Sequence, residues 1–429
     1  MKYYSLNNRD IVVSFKEAAL QGLAPDKGLY FPTEIPQLPK AFFENIGSLS
    51  KEEIGYQVIK PFVGNEINEA DLRQIVKETL DFDFPLVQIE KNKYALELFH
   101  GPTLAFKDVG ARFMARCFQK LARDNAKKVT VLVATSGDTG GAVAHGFYGV
   151  EGVEVVILYP KGKVSSIQEK QLTTLGKNIK AIEVNGSFDD CQAMVKRAFL
   201  DDDLKGAHLT SANSINVARW LPQMFYYFLM YRELGKIDKP LVVSVPSGNF
   251  GNICAGMLAR ALGLPIAHFI AATNANDTVV RYMDTAIYQP TTTKVTLSNA
   301  MDVSDPSNFV RILALFGNEN KALHAILDAY SFTDQQTLEA IKDIYYAKDY
   351  LVDPHGAVGY LGLKQYEEKK TEFIGVFLET AHPVKFPECI EQLLNIDIEI
   401  PKRLQEIQKG VKKAIEISDY KELKRFLLD

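Results

Sequence analysis

Cysteine is scarce in this chain of 429 residues: Cys117, Cys191, Cys254 and Cys389 stand far apart, with no CxxC pair and no histidine at zinc-ligand spacing. That pattern excludes a disulfide framework and a structural zinc site, and it leaves reduced packing thiols and no metal as the expectation. Long hydrophobic runs are missing as well. The stretches "KVTVLVA" and "FIGVFL" fall far short of the ~20 apolar residues needed to cross a bilayer, and the opening "MKYYSLNNRD" has no signal-peptide core. No membrane partner and a cytoplasmic location are expected. Positive charge is not in excess either: 49 Lys and Arg face 53 Asp and Glu, a formal net charge of −4. A chain so balanced projects no broad positive field, so nucleic acid is not the expected partner, and local cations must be explained locally.

What remains is an ordinary globular composition, 47% hydrophobic and 24% charged, in a chain long enough for two or three domains of ~100–200 residues. Roughly the first ninety residues read as a mainly helical unit: "SKEE", Ser50 to Glu53, has the form of a capping box opening a helix that reaches about Val63, and Asn68 starts another. From about Tyr94 the pattern changes to strand, glycine-containing turn and helix in alternation. The clearest strands are 129–134, 153–159, 179–184, 241–245, 268–273 and 373–378, whose nearly continuous apolar character suits parallel strands covered on both faces. The fold class is α/β. Residues 1–93 are expected to form an N-terminal domain and 94–429 a second region, with a smaller α/β part near 108–235 and a larger part in the remainder. "YQPTTTKVTLSNAMDVSDPSN" reads as a long ordered loop, and the tail from Pro401 as a charged terminal helix.

Open parallel sheets bind ligands beyond the carboxyl ends of their strands, where helix N-termini gather. After "VTVLVA" comes "TSGDTGG", and after "LVVSV" comes "PSGNFGN"; each offers small residues, glycines and unpaired N–H groups able to receive an anion. Neither matches GxxxxGK[ST] or GxGxxG, so neither is a nucleotide fingerprint, and either alone fits a tight strand-to-helix turn equally well. "TSANSINVARW" interleaves hydroxyls and amides with Arg219; by itself it also reads as a capped helix start, with Asn213 or Ser214 as the cap and Arg219 on a solvated face. In "FHGPTLAFKDVGARFM", Lys107 falls where a loop gives way to a helix. The positive end of the helix dipole disfavours an ammonium there and burial would disfavour it further, and a neutral amine can attack a carbonyl; by itself the position also fits an ordinary first-turn surface lysine.

Together these segments carry a resemblance. "GLAPDKGLYFP", "ELFHGPTLAFKDVGARFM", "TSGDTGGAVAHGFYG", "VILYPKGKVSSIQEKQL", "SANSINVARWLPQ", "VPSGNFGNICAGMLA", "AATNANDT", "SNAMDVSDPSN" and "ETAHPVKF" stand in the order and at the spacing of the threonine synthases, which are pyridoxal-phosphate enzymes of fold type II, and the similarity spans nearly the whole chain. It implies the cofactor pyridoxal 5'-phosphate and the substrate O-phospho-L-homoserine, in a monomer or homodimer. Lys107 matches the Schiff-base lysine. Ser247, Gly248, Asn249, Phe250, Gly251 and Asn252 match the loop that cradles the cofactor phosphate. Thr135, Ser136, Gly137, Asp138 and Thr139 match the loop that receives the substrate carboxylate, with Asp138 also beside the cofactor's phenolic oxygen and its protonation state open. Asn213, Ser214, Asn216 and Arg219 match the substrate-phosphate region, and Thr380 the hydroxyl facing the pyridine nitrogen. His100, His145, His355 and His382 read as packing or supporting residues. A phospho-lyase releasing a 2-oxo acid on the same scaffold, or a non-catalytic phosphoanion-binding protein, are the alternatives.

Overall fold

A computed structural model describes residues 1–122 and 128–428. The N-terminal region opens with a small antiparallel sheet, order β2–β1–β3, formed by Lys2–Ser5 (β1), Val12–Ser14 (β2) and Tyr30–Pro32 (β3). These strands are too short to show a period in the sequence, and the helical reading of this region missed them. Helices Lys51–Val63 and Glu69–Thr79 follow. Asn68 caps the second as expected, accepting from the Asp71 N–H at 2.9 Å. The capping box of the first is only half made: Ser50 accepts from the Glu53 N–H at 3.1 Å, while the Glu53 carboxylate turns to Arg73 at 2.6 Å and Gln57 at 2.7 Å. A charged partner on the next helix outcompetes the local backbone N–H.

Leu86–Glu90 (β4) and Lys93–Glu97 (β5) pair antiparallel. Next come Val129–Ala134 (β6), Val153–Pro160 (β7), Ile179–Val184 (β8) and Leu209–Ser211 (β9), then Leu241–Pro246 (β10), His268–Thr273 (β11), Leu327–Ser331 (β12), Ile374–Glu379 (β13) and Ala414–Ile417 (β14). They form a six-stranded sheet, order β12–β11–β10–β13–β5–β4, and a five-stranded sheet, order β14–β8–β7–β6–β9. Every pairing in these two sheets is parallel except β4–β5. The central strands β10 and β13 are buried at every residue, as expected of apolar runs with helices on both faces.

The tail differs from expectation. Lys402–Lys409 and Tyr420–Leu428 are helices, but Ala414–Ile417 between them is a strand that pairs with β8 and completes the smaller sheet. Four residues of edge strand amid charged neighbours leave no periodic signal. The stretch 286–308 contains no strand, and its 3-10 turn Asn299–Met301 lies against Gly248. We propose dividing the chain before Leu86, which keeps β4 with β5, and assigning residues 402–428 to the smaller sheet's unit.

Candidate active site

The carboxyl ends of β6, β9, β10 and β13 and the helix start at Lys107 converge on one cavity of about 800 Å³. Lys107 is the first residue of the helix Lys107–Leu121, and the loop before it is pinned from two directions. Asp108 turns back to accept from the Thr103 N–H at 2.8 Å and hydroxyl at 2.6 Å. Gly101 must lack a side chain, because a Cβ there would lie 2.5 Å from the Asp108 carboxylate. From the other side, Phe106 donates its N–H to the Thr380 carbonyl at 2.9 Å, and His382 donates to that of Leu104 at 3.1 Å. Lys107 and Thr380 therefore meet at the cavity through backbone bonds between the loop and the end of β13. Burial pushes the Lys107 amine down to about 8; Asp138 pulls it upward, and Lys385 and Arg219 push it down.

Both glycine loops end in helix N-termini facing this cavity. Around the second, the N–H groups of residues 248–252 have no acceptor among the described residues, and Phe250 adopts a left-handed conformation, φ 60°, just before the helix Gly251–Ala261. Such a row of unpaired donors is a cradle for a phosphate. Around the first, the Thr135 hydroxyl oxygen accepts from the N–H groups of Gly137 at 2.9 Å and Gly140 at 2.8 Å, which shapes the turn. Ser136, Asp138 and Thr139 keep their N–H groups unpaired among the described residues at the start of the helix Asp138–Phe147. Gly137 is at φ +136°, and a Cβ there would meet Gln168 at 2.4 Å.

Asp138 is ionised. Burial works against its charge, but the ammoniums of Lys385 and Lys107 and a hydrogen bond from Gln168 Nε2 at 2.9 Å outweigh it and hold the carboxyl far below the usual range. Lys385, wholly buried, pairs directly with Asp138 and donates to the Thr103 carbonyl at 3.0 Å. Sequence reasoning passed over Lys385 although it lies in "ETAHPVKF"; nothing local distinguishes it from a surface lysine.

The third segment divides. Asn213, Ser214 and Arg219 line the cavity. Arg219 is only 3% exposed, so the solvated-face reading fails; its Nη1 donates to the Lys107 carbonyl at 2.9 Å, and its Nε has no partner among the described residues. Burial lowers its pKa to about 10, which leaves it charged at neutral pH. The Asn213 Oδ1 is also buried without a partner. Asn216, in contrast, does not reach the cavity wall. It caps the helix Val217–Trp220 by accepting from the Ala218 N–H at 2.9 Å, and its amide donates to the carbonyls of Ala19 at 2.8 Å and Ser211 at 3.0 Å. With both ends occupied it is a structural cap, neither Asn213 nor Ser214 having that role. Gly137 and Ser247 likewise shape their loops from behind the wall: the Ser247 hydroxyl donates to the Val245 carbonyl at 2.8 Å.

His355, expected as a packing or supporting residue, lines the cavity. Its Nε2 accepts from the Ala300 N–H at 3.2 Å, so the ring proton sits on Nδ1, 2.6 Å from Asp353 Oδ2. This braces the 299–301 turn that presses on Gly248, which gives "SNAMDVSDPSN" a place: it backs the loop whose N–H groups are unpaired. His382 accepts from the Val384 N–H at 3.1 Å, and burial lowers its pKa to about 4.

Comparison with known proteins agrees with this geometry. Residues 85–374 match the family model of pyridoxal-phosphate dependent enzymes, residues 2–80 that of the threonine synthase N terminus, and residues 356–427 that of the threonine synthase C-terminal region. The threonine synthase of Haemophilus influenzae is 46% identical over 431 residues, covering 100% of both chains. The chain belongs to the threonine synthase family. Among solved threonine synthases, the crystal structure from Escherichia coli superposes with a TM-score of 0.93 at 43% identity, covering 100% of this chain and 99% of that one. The pyridoxal-phosphate-bound threonine synthase from Brucella melitensis gives 0.92 at 35% identity, covering 100% and 98%. This member of the family is therefore a pyridoxal-phosphate-dependent lyase of fold type II acting on a small molecule. The residues present fit that cofactor: a donor cradle at 248–252 for its phosphate, and a lysine of lowered pKa in the same cavity for its carbonyl. No described helix is long and apolar enough to cross a membrane.

Proposed function

We propose that the cavity converts O-phospho-L-homoserine and water to L-threonine and phosphate, with Lys107 as both covalent anchor of the cofactor and carrier of protons. The observation that carries this reading is one cavity in which an amine lowered to about 8 faces two helix N-termini with unpaired donors and a buried arginine whose Nε has no hydrogen-bond partner among the described residues. Pyridoxal phosphate, when bound, supplies the conjugated ring that accommodates the electron pair left at the substrate's α-carbon. With the cofactor bound and the substrate amine in its place, Lys107 would be free to take the α-proton and then a proton from the β-carbon, and to return protons to the γ- and α-carbons as phosphate leaves and water adds at the β-carbon; one base held in place serves several steps. The N–H groups of Ser136, Asp138 and Thr139 hold the substrate carboxylate. Those of residues 248–252 would hold the cofactor phosphate, and the Thr380 hydroxyl, which lines the same cavity, would offer the cofactor's ring nitrogen a neutral partner. Arg219, with Ser214 and Asn213 beside it, receives the substrate's phosphate and stabilises its departure as a dianion. Ionised Asp138 keeps Lys385 and Lys107 from repelling each other without compensation.

We place the protein in the cytoplasm, as a monomer or homodimer without nucleic acid; the net charge of −4 and the unpaired cysteines support this. The test is incubation of purified holoenzyme with O-phospho-L-homoserine and measurement of both products. Equal amounts of threonine and phosphate are expected; phosphate accompanied by a 2-oxo acid instead of threonine would overturn the reading in favour of a phospho-lyase.

A further inference from the structure

Ser214 occupies an unusual electrical position. A serine hydroxyl has one proton to donate and two lone pairs that accept. Both lone pairs are taken: Asn249 Nδ2 donates to Ser214 Oγ at 3.0 Å, and Asn308 Nδ2 donates to it at 2.9 Å. The amide orientations follow from groups that can only donate. The backbone N–H of Ser307 lies 2.6 Å from Asn249 Oδ1, and Nη1 of Arg311 lies 2.8 Å from Asn308 Oδ1, so in each amide the remaining end must be NH2. Arg311 is itself held on several sides. It is wholly buried over the Trp220 ring, 4.4 Å from the ring centroid, and donates to the carbonyls of Tyr30, Ser214 and Ile215, with no carboxylate partner among the described residues.

We propose that Asn308, oriented by Arg311, is a positioning residue that together with Asn249 converts Ser214 into a hydrogen-bond donor only, aimed at the departing phosphate of the substrate. With both lone pairs filled, the hydroxyl proton has no acceptor among the described residues and is left facing the cavity that Ser214 lines. A free serine would spend part of its time accepting from water or from the ligand; this one cannot. The corner therefore favours a group that brings acceptors and no proton, such as a fully ionised phosphate. This rests on the substrate-phosphate reading of Ser214 and Arg219.

The test uses holoenzyme and sulfate, an anion that carries no proton at neutral pH, as competitor against O-phospho-L-homoserine. Ser214→Ala and Asn308→Ala are each expected to weaken sulfate inhibition about tenfold, the loss of one hydrogen bond to a charged group. The double variant should be no weaker toward sulfate than Ser214→Ala alone, because the other bond of Asn308, from Nδ2 to the Asn249 carbonyl at 3.1 Å, does not act through the Ser214 hydroxyl. A merely structural Asn308 would add its own loss in the double variant, and that additivity overturns the proposal. So does a lower affinity for pyridoxal phosphate without change in sulfate inhibition, which would assign the hydroxyl to the cofactor phosphate. If Asn308→Ala does not yield holoenzyme, Asn308→Leu, which keeps the volume without the amide, carries the same comparison. Arg219→Ala separates the two readings: sulfate inhibition lost with Arg219→Ala but kept with Ser214→Ala refutes the donor proposal alone, whereas inhibition kept in both refutes the phosphate site itself.

Discussion

Replacing Lys385 with methionine removes one charge from a pair that has almost no contact with solvent: Lys385 is 0% exposed and Asp138 3%. Methionine keeps much of the lysine stem's volume and removes the ammonium. The Thr103 carbonyl retains a donor, Gln171 Nε2 at 3.1 Å, so the principal loss is the counter-charge of Asp138. Breaking a buried pair by removing one partner costs about 3–5 kcal/mol. Lys107 and Gln168 stay beside the carboxylate, which puts the expected loss at the lower end, about 3 kcal/mol at pH 7. Asp138→Asn alone strands the Lys385 ammonium and should cost a similar amount. The double variant, Lys385→Met with Asp138→Asn, leaves neither charge unpaired and should be more stable than either single by at least about 1 kcal/mol. Urea unfolding followed by circular dichroism and by fluorescence of the buried Trp220 measures all four proteins. The pH dependence has a definite sign. Asp138 is depressed in the folded state, so its stabilisation is present above its ordinary value of 3.8 and is lost as pH falls toward the lower folded value. The gap between wild type and Lys385→Met should therefore close in acid. Losses that add in the double variant to within about 0.5 kcal/mol would falsify the pairing argument.

Lys107→Ala should abolish turnover and the visible absorption of covalently bound cofactor while leaving the circular dichroism unchanged, since the cradle at 248–252 is untouched. In the cofactor-free protein, Lys107 titrates near 8 instead of 10.5, so the unfolded chain holds the extra proton between those values; stability should rise with pH across that window, and Lys107→Met should flatten the rise. Arg219→Lys should lower kcat/KM roughly tenfold to hundredfold, about 1.5–3 kcal/mol of lost charge-assisted bonding, with cofactor absorption unchanged; release of cofactor instead would mean the two anion sites are exchanged. Asn216→Ala should cost about 1–3 kcal/mol of stability and leave KM for O-phospho-L-homoserine as it was, because the residue caps a helix behind the wall; a raised KM with unchanged stability would return it to the substrate site.

Much of the site was legible in advance because its chemistry is local. A strand, a glycine turn and a helix start are adjacent in sequence, so "TSGDTG" and "SGNFGN" announce unpaired N–H groups before any tertiary contact is known. Lys107 is legible for the same reason. Where the expectation failed, the deciding contact came from far along the chain. Glu53 leaves its capping box for Arg73 on the following helix. Asn216, expected among the ligands, is claimed by the carbonyl of Ala19, 197 residues away. The strand Ala414–Ile417 exists because β8 offers it an edge, not because its own residues alternate.

The sequence by itself therefore determined the α/β class, the strands whose apolar runs demand burial on both faces, the loops with unpaired N–H groups at helix starts and the lysine between them, because period, turn chemistry and helix-end geometry are properties of neighbouring residues. Tertiary structure decided the electrostatics. Whether Asp138 is ionised depends on Lys385, which arrives from beyond β13; whether Arg219 is a solvated surface charge or a buried donor depends on what covers it; and which way the Ser214 proton points depends on Asn249, Asn308 and Arg311. Charge state and hydrogen-bond direction are set by desolvation and by the few groups within bonding distance, and a folded chain draws those groups from segments that the linear sequence holds apart.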